Sequence, residues 1–495
     1  MSGPSHPWPR RRFVAASMAG LALAACNGGS SGNHSEGDRG HTPLPDTAEP
    51  GPYSPRGIHA SFTGDSHSSR AITWFTDGLD APYSRMEYGS VDDTMSDADI
   101  ADRVFEFSVD ASAEQTTGVE ALTHRAIASG IDPDKPMRYR VGSDDGGWSP
   151  VFVIPPSPLG EWSFIHFGDH GIGDMPQQLT AQVMSDPSDL LLLAGDLSYA
   201  NGDQPIWDTW FDQMQPLLSQ RITLAAPGNH EQKDAGGDTF KNRFTHPPKP
   251  LTGGINPGGP GSTFYAFDYN RVHFLVTTAG ALINDGTLPE ELLNIEADLA
   301  QAALRRARGE IDFIVVMQHY TIWTDQDGRS PANPALVLLE ENILLRYGVD
   351  LLAVGHDHIY QRSEKMGFGL PNPLGYVQVL VGTGGQSIRL FDDNGPQIWS
   401  ASEFVGVGYC KYFVSPGKIC GEYYGAPPLD MSEEGRRYTS GEFVLRDRFE
   451  IEARSQLACE MCALPARGAE VLLADFEAVS RHTHARNRRI LSHHC

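Results

Sequence analysis

The chain is poor in cysteine, with six in 495 residues, which excludes a scaffold held together by disulfides. It lacks a basic excess. Thirty-eight Lys and Arg stand against 63 Asp and Glu, for a formal charge of -25, and such a surface repels a polyanion, so nonspecific nucleic-acid binding is excluded. An anionic substrate would need a locally positive site, which metal ions could supply. The apolar run Phe13 to Ala25 is too short to span a membrane permanently. What remains is ordinary for a soluble globular protein, 40% hydrophobic and too long for one compact domain.

Arg10, Arg11 and Arg12 precede that apolar run, the pattern of a targeting segment. Arg10 to Val14 resembles a twin-arginine export signal, and Leu23-Ala24-Ala25-Cys26 resembles a bacterial lipobox. These imply a leader over 1–26 and an exported chain that is either a cell-envelope lipoprotein, touching the membrane through lipid on Cys26, or secreted. The alternative is a simple cleaved peptide. Five cysteines then remain. Cys410 and Cys420 could close a hairpin-like loop, and Cys459-x-x-Cys462 reads as a disulfide or unpaired thiols rather than zinc, since no second pair follows it.

Residues 27–56 are rich in Gly, Ser, Pro and Asp and cannot bury enough surface to fold, so they read as a tether. From 57 to 156, alternating runs such as Ala71 to Phe75, Val104 to Ser108 and Met137 to Val141 are separated by turn residues. They predict a β-sandwich without helical stretches. After Pro155-Pro156-Ser157-Pro158 the pattern over 160–400 becomes apolar runs alternating with helical stretches at Pro289 to Arg308 and Pro334 to Arg346, which is α/β layering. Residues 401–495 have no convincing pattern beyond a strand signal at Glu442 to Leu445.

Metal-type residues recur just after buried-looking apolar runs. Trp162 to Phe167 leads into Asp169, Leu190 to Ala194 into Asp196 and Tyr199, and Arg221 to Ala225 into Asn229 and His230. Phe313 to Met317 leads into His319, and Leu351 to Val354 into His356 and His358. In an open α/β sheet such strand ends share one rim, where ligands bind. Glycines before Asp169, Asp196, Asn229 and His356 would let the chain turn sharply. Any one carboxylate could be a helix cap; five such exits together point to metal. Oxygen and imidazole donors without thiolate suit iron, manganese or zinc. Seven ligands exceed the needs of one ion but fit two bridged by a carboxylate, an arrangement suited to phosphate esters.

The order Asp169-His170-Gly171, Gly195 to Tyr199, Gly228-Asn229-His230-Glu231, Val316 to His319 and Gly355 to His358 resembles the purple acid phosphatases of the calcineurin-like metallophosphoesterase superfamily. The resemblance implies a catalytic metallophosphoesterase β-sandwich flanked by helices, preceded by an all-β fibronectin type III-like domain. It implies Fe(III) on Asp169, Tyr199 and His358, a divalent Fe, Zn or Mn on Asn229, His319 and His356, and Asp196 between them. Phosphate monoesters would be hydrolysed by a metal-bound hydroxide attacking phosphorus in line, with His230 bonding the phosphate or protonating the leaving group. Tyr199 with Gly171 marks the purple type, because the wider superfamily resembles Asp-x-His in the first motif.

Glu231 and Asp357 are expected to orient neighbours, and Tyr360 and Arg362 to brace the last loop. Plant-type members carry further histidines after the Val-x-x-His motif, whereas Tyr320 to Gly328 contains none. His170 is a candidate to compensate, and Trp207, Trp210, Tyr320 and Trp323 could line a cleft or fill the core. The substrate is a phosphorylated small molecule. Rival readings are a phosphodiesterase or nucleotidase on the same scaffold, an exported alkaline phosphatase or phospholipase D type of enzyme, and a surface lipoprotein that retains phosphate or metal without turnover.

Overall fold

Leu190–Ala194 has every side chain buried, and so have Ile222–Ala226, Val272–Val276, Phe313–Met317 and Leu351–Val354. Runs apolar on both faces belong to sheets covered on both sides. The computed structural model, which describes residues 53–92, 94–247, 262–281 and 288–454, places them in two sheets rather than one open sheet. Trp162–Phe167, Leu190–Ala194 and Ile222–Ala226 are parallel neighbours in the first. Val272–Val276, Phe313–Met317, Leu351–Val354 and Val377–Val381 are parallel neighbours in the second.

Alternation divides the second sheet between two cores. Phe274, Val315, Met317, Leu351 and Ala353 pack toward Phe164, Leu190 and Leu192 between the sheets. Leu275, Ile314, Val316 and Leu352 pack outward with Ile295, Leu299 and Leu344 of the helices. Helices Asp174–Ser185 and Gln204–Leu218 flank the first sheet, and Leu288–Ala307 lies along the second. The predicted helix at 334–346 is two, Pro334–Leu339 and Glu341–Tyr347, broken where the buried Glu341 carboxylate accepts from Trp323 Nε1, Phe368 N and Tyr376 Oη.

The N-terminal module is a sandwich. Arg56–Ser61, Ser69–Asp77, Ala121–Ser129 and Ser112–Gln115 form one sheet, and Arg85–Ser90, Phe107–Asp110 and Met137–Ser143 the core of the other. The strand expected at 104–108 begins at Phe107, and a short helix, Asp97–Asp102, precedes it. Arg138 draws the carbonyls of Ile100, Arg103 and Val104 inward, which holds that stretch out of the sheet. Ala60 pairs in parallel with Ile222, so the module shares a sheet with the strands that follow.

Val407–Ser415, Lys418–Ala426 and Val444–Glu452 extend the first sheet beside Trp162–Phe167. Cys410 faces Tyr423 in this register while Cys420 faces Phe413, so the thiols are three positions apart, and both are free. The expected bridge between them is not formed, because an odd offset turns them to opposite faces. The leader, Cys26, the tether up to 52, Cys459, Cys462 and Cys495 lie outside the described residues.

Candidate metal centre

The strand ends of the two sheets meet at one rim. Asp169 Oδ1, Tyr199 Oη and His358 Nε2 form a triangle with sides of 3.1, 3.1 and 3.2 Å. Beside it, His319 Nε2 lies 3.2 Å from each of Asn229 Oδ1, Asp196 Oδ2 and His356 Nδ1. Donors that bind one ion at roughly 2.1 Å stand about 3 Å apart, so each group has the spacing of a coordination shell. All seven residues singled out in the sequence are thus brought together, in two groups. Asp169 joins the groups, since its Oδ2 accepts from His356 N at 2.7 Å.

The backbone here is strained. Asp169, Asp196, Tyr199 and His356 all have positive φ, of 61°, 51°, 59° and 74°, a conformation that costs energy outside glycine and collects at functional sites. The preceding glycines therefore serve mainly to let chains approach. A Cβ on Gly228 would stand 2.1 Å from Asp196 Oδ1, and one on Gly355 2.7 Å from Asp169 Oδ2.

Surrounding groups aim the donors. His319 Nδ1 donates to Ala194 O at 2.7 Å, which turns Nε2 to the cluster, and His358 Nδ1 lies 2.6 Å from Ser387 Oγ. Glu231 is buried and accepts from the amides of Asp196, Leu197 and Gly228 at 2.7–2.9 Å, locking two loops together. His230 Nδ1 meets Asn201 Oδ1 at 2.6 Å, its ring packs on Tyr199, and its Nε2 is 3.8 Å from Asp196 Oδ2. Asn201, Ser387 and Gln326, which accepts from His358 N, were not found by sequence reasoning. Only Asn201, two residues beyond Tyr199, carried any signal.

The cluster is short of positive charge. Burial alone would lower His319, yet the carboxylates of Asp196 and Asp169 raise it to about 10. Burial would raise Asp196, but His319 holds it at about 2. Burial, Asp169 and Asp196 push the Tyr199 phenol well above its usual value. Buried oxygen donors and imidazoles whose charge is balanced only by taking up protons are a set that metal cations would satisfy.

One expectation changes, and the alternatives left open for the aromatic residues are resolved. His170 is no substitute for the missing histidines: it is buried, with Nδ1 accepting from Trp210 Nε1 and Nε2 against Pro176 O and Thr180 Oγ1. Trp207, Trp210 and Trp323 are core. Tyr320 alone of the four aromatics reaches the rim, edge-on to His356 at 4.5 Å between ring centroids. A cavity of about 690 Å³ lies at the other ends of the strands, beside Trp162, Val272 and Phe313, away from these donors.

Residues 163–360 match the calcineurin-like phosphoesterase family, and residues 55–154 match the purple acid phosphatase N-terminal domain. The chain belongs to the purple acid phosphatase family. Purple acid phosphatase 18 of Arabidopsis thaliana is 24% identical over 370 residues, covering 72% of this chain and 77% of that one. Fe(3+)-Zn(2+) purple acid phosphatase 12 of the same plant is 24% identical over 372 residues, covering 70% and 75%. The structure of purple acid phosphatase PPD1 from yellow lupin (Lupinus luteus) seeds shares the fold, with a TM-score of 0.66 at 20% identity, covering 83% of this chain and 77% of that one. As a purple acid phosphatase, the chain is a metal-dependent phosphoric ester hydrolase.

Proposed function

We propose that this purple acid phosphatase hydrolyses phosphate monoesters of small molecules with two ions. A ferric ion would sit on Asp169, Tyr199 and His358, and a divalent Fe, Zn or Mn on Asn229, His319 and His356, with Asp196 between them. The observation that carries the reading is the division of the donors into two groups, each with spacings of 3.1–3.2 Å. The iron and zinc of one relative, Fe(3+)-Zn(2+) purple acid phosphatase 12, support the choice of metals.

When bound, such ions supply Lewis acidity toward water and phosphoryl oxygens. The chain's own residues do the rest. Asp196 is fixed by His230 N at Oδ1 and by the Glu231 carboxylate at its own amide, so its Oδ2 has one direction open. His230, tethered at Nδ1 by Asn201, carries a proton at Nε2 toward the leaving oxygen. Tyr199 closes the ferric side and packs under the His230 ring.

The test is to purify the folded protein, count its metals, record its visible spectrum and assay p-nitrophenyl phosphate across pH. Two metals per chain and hydrolysis are expected; fewer than two metals without hydrolysis would end the proposal. Tyr199→Phe should remove any visible band and spare some activity. A band that persists would mean the chromophore is elsewhere.

A further inference from the structure

The segment that lacks histidines after His319 is not empty of charge. It folds over the His356 to His358 turn, where Gln326 Oε1 accepts from His358 N at 2.7 Å and Arg329 N donates to Gln326 O at 3.1 Å. Arg329 Nε then lies 2.9 Å from Asp357 Oδ1. The two partners differ sharply in exposure, with the Asp357 side chain 1% exposed and that of Arg329 44%.

The buried Asp357 carboxylate thus pairs with the guanidinium by charge at Nε, without a hydrogen bond at Oδ1. The other N–H groups of the guanidinium have no protein partner among the described residues. The planar fork of arginine suits two oxygens of one phosphate, and anchoring one edge removes much of the ordering cost of presenting the other. The anchor point lies between two of the candidate ligands, since Asp357 separates His356 from His358. Tyr320 packs on His356 and lines the same side of the rim as that ligand.

We propose that Arg329 is a substrate-binding residue, whose outer guanidinium edge takes non-bridging oxygens of the phosphate ester on the His356 side of the centre. In a chain of net charge -25, this places a fixed cation where an incoming dianion meets the rim. The inference rests on the phosphatase reading of the site and gives the phosphate group a contact from this chain itself.

The test compares metal-loaded wild type, Arg329→Gln and Arg329→Lys, with inorganic phosphate binding measured by calorimetry beside kcat, KM and metal content. Loss of a charge-assisted contact should weaken phosphate binding and raise KM for p-nitrophenyl phosphate about tenfold in Arg329→Gln. Metal content should stay at the wild-type value, kcat should change less than about threefold, and Arg329→Lys should recover part of the loss. Phosphate affinity and KM within twofold of wild type would overturn the assignment. So would a fall in kcat and metal content at unchanged KM, because Arg329 would then act only through Asp357. If Arg329→Gln does not fold, Arg329→Lys decides alone: phosphate affinity and KM equal to wild type overturn the proposal, and a loss of bidentate binding supports it. Wild type that binds phosphate through Arg329 but hydrolyses no ester would sink the catalytic reading and leave this contact standing.

Discussion

Asn201 Oδ1 lies 2.6 Å from His230 Nδ1. The amide oxygen can only accept, so Nδ1 carries the hydrogen and Nε2 is the nitrogen presented to the centre. A residue with φ of 53° thereby fixes the ring so that, when the imidazole is protonated, the second proton sits on Nε2 toward the centre.

Because that φ favours glycine, Asn201→Gly removes the tether without backbone strain. It should lower kcat about tenfold, the effect of losing an orienting partner. Asn201→Asp should keep most of the rate, and both should keep their metals. Stopped assays with metal counting check this, and an unchanged kcat in Asn201→Gly would refute the role of the tether.

His273 is buried between Asp268 and Asp298, at 2.8 Å from each. Burial would lower its pKa, but the aspartates raise it to about 9 from 6.5. The folded value is the higher one, so the stabilisation is complete below about pH 6.5 and is lost as pH rises through about 9. It amounts to about 3 kcal/mol. Calorimetry between pH 6 and 9 should show Tm falling, and His273→Gln should flatten that slope. Parallel slopes would exclude His273 as the source.

Asp447 accepts from Tyr360 Oη at 2.7 Å and from Arg362 Nε at 2.6 Å. The two residues expected to brace the last loop are tied across to strand Val444–Glu452. Asp447→Ala leaves a largely buried arginine unpaired and should cost about 3 kcal/mol in urea unfolding. A loss under 1 kcal/mol would show that the brace carries little.

Cys26 is expected to carry the lipid of an exported chain. Cys26→Ser should move the protein from the detergent phase to the aqueous phase in detergent partitioning, with phosphatase activity intact. Wild type already in the aqueous phase would rule the anchor out.

The strand exits were legible because a run such as Leu190 to Ala194, apolar on both faces, has few alternatives in water. The donors followed from them, since each sits two to five residues beyond such a run. Their arrangement on the rims of two facing sheets did not follow from local pattern, which is silent on which strands pair, and came only with the family resemblance, which implied a β-sandwich. The same limit hid Val407–Ser415, whose partner Trp162–Phe167 lies more than two hundred residues earlier. It also hid Ser387, Gln326 and Asp447, polar residues that matter only by what they meet.

The late strands have a consequence for the order of events in making the protein. Trp162–Phe167, which delivers Asp169, is covered on its outer edge by Val407–Ser415. While the ribosome is still reading the intervening residues, that edge stays open, with unpaired backbone groups able to capture other chains. Closure waits on a contact of long sequence separation, which forms slowly. The edge of the strand that delivers Asp169 is therefore closed only by residues made well after the last candidate ligand, His358.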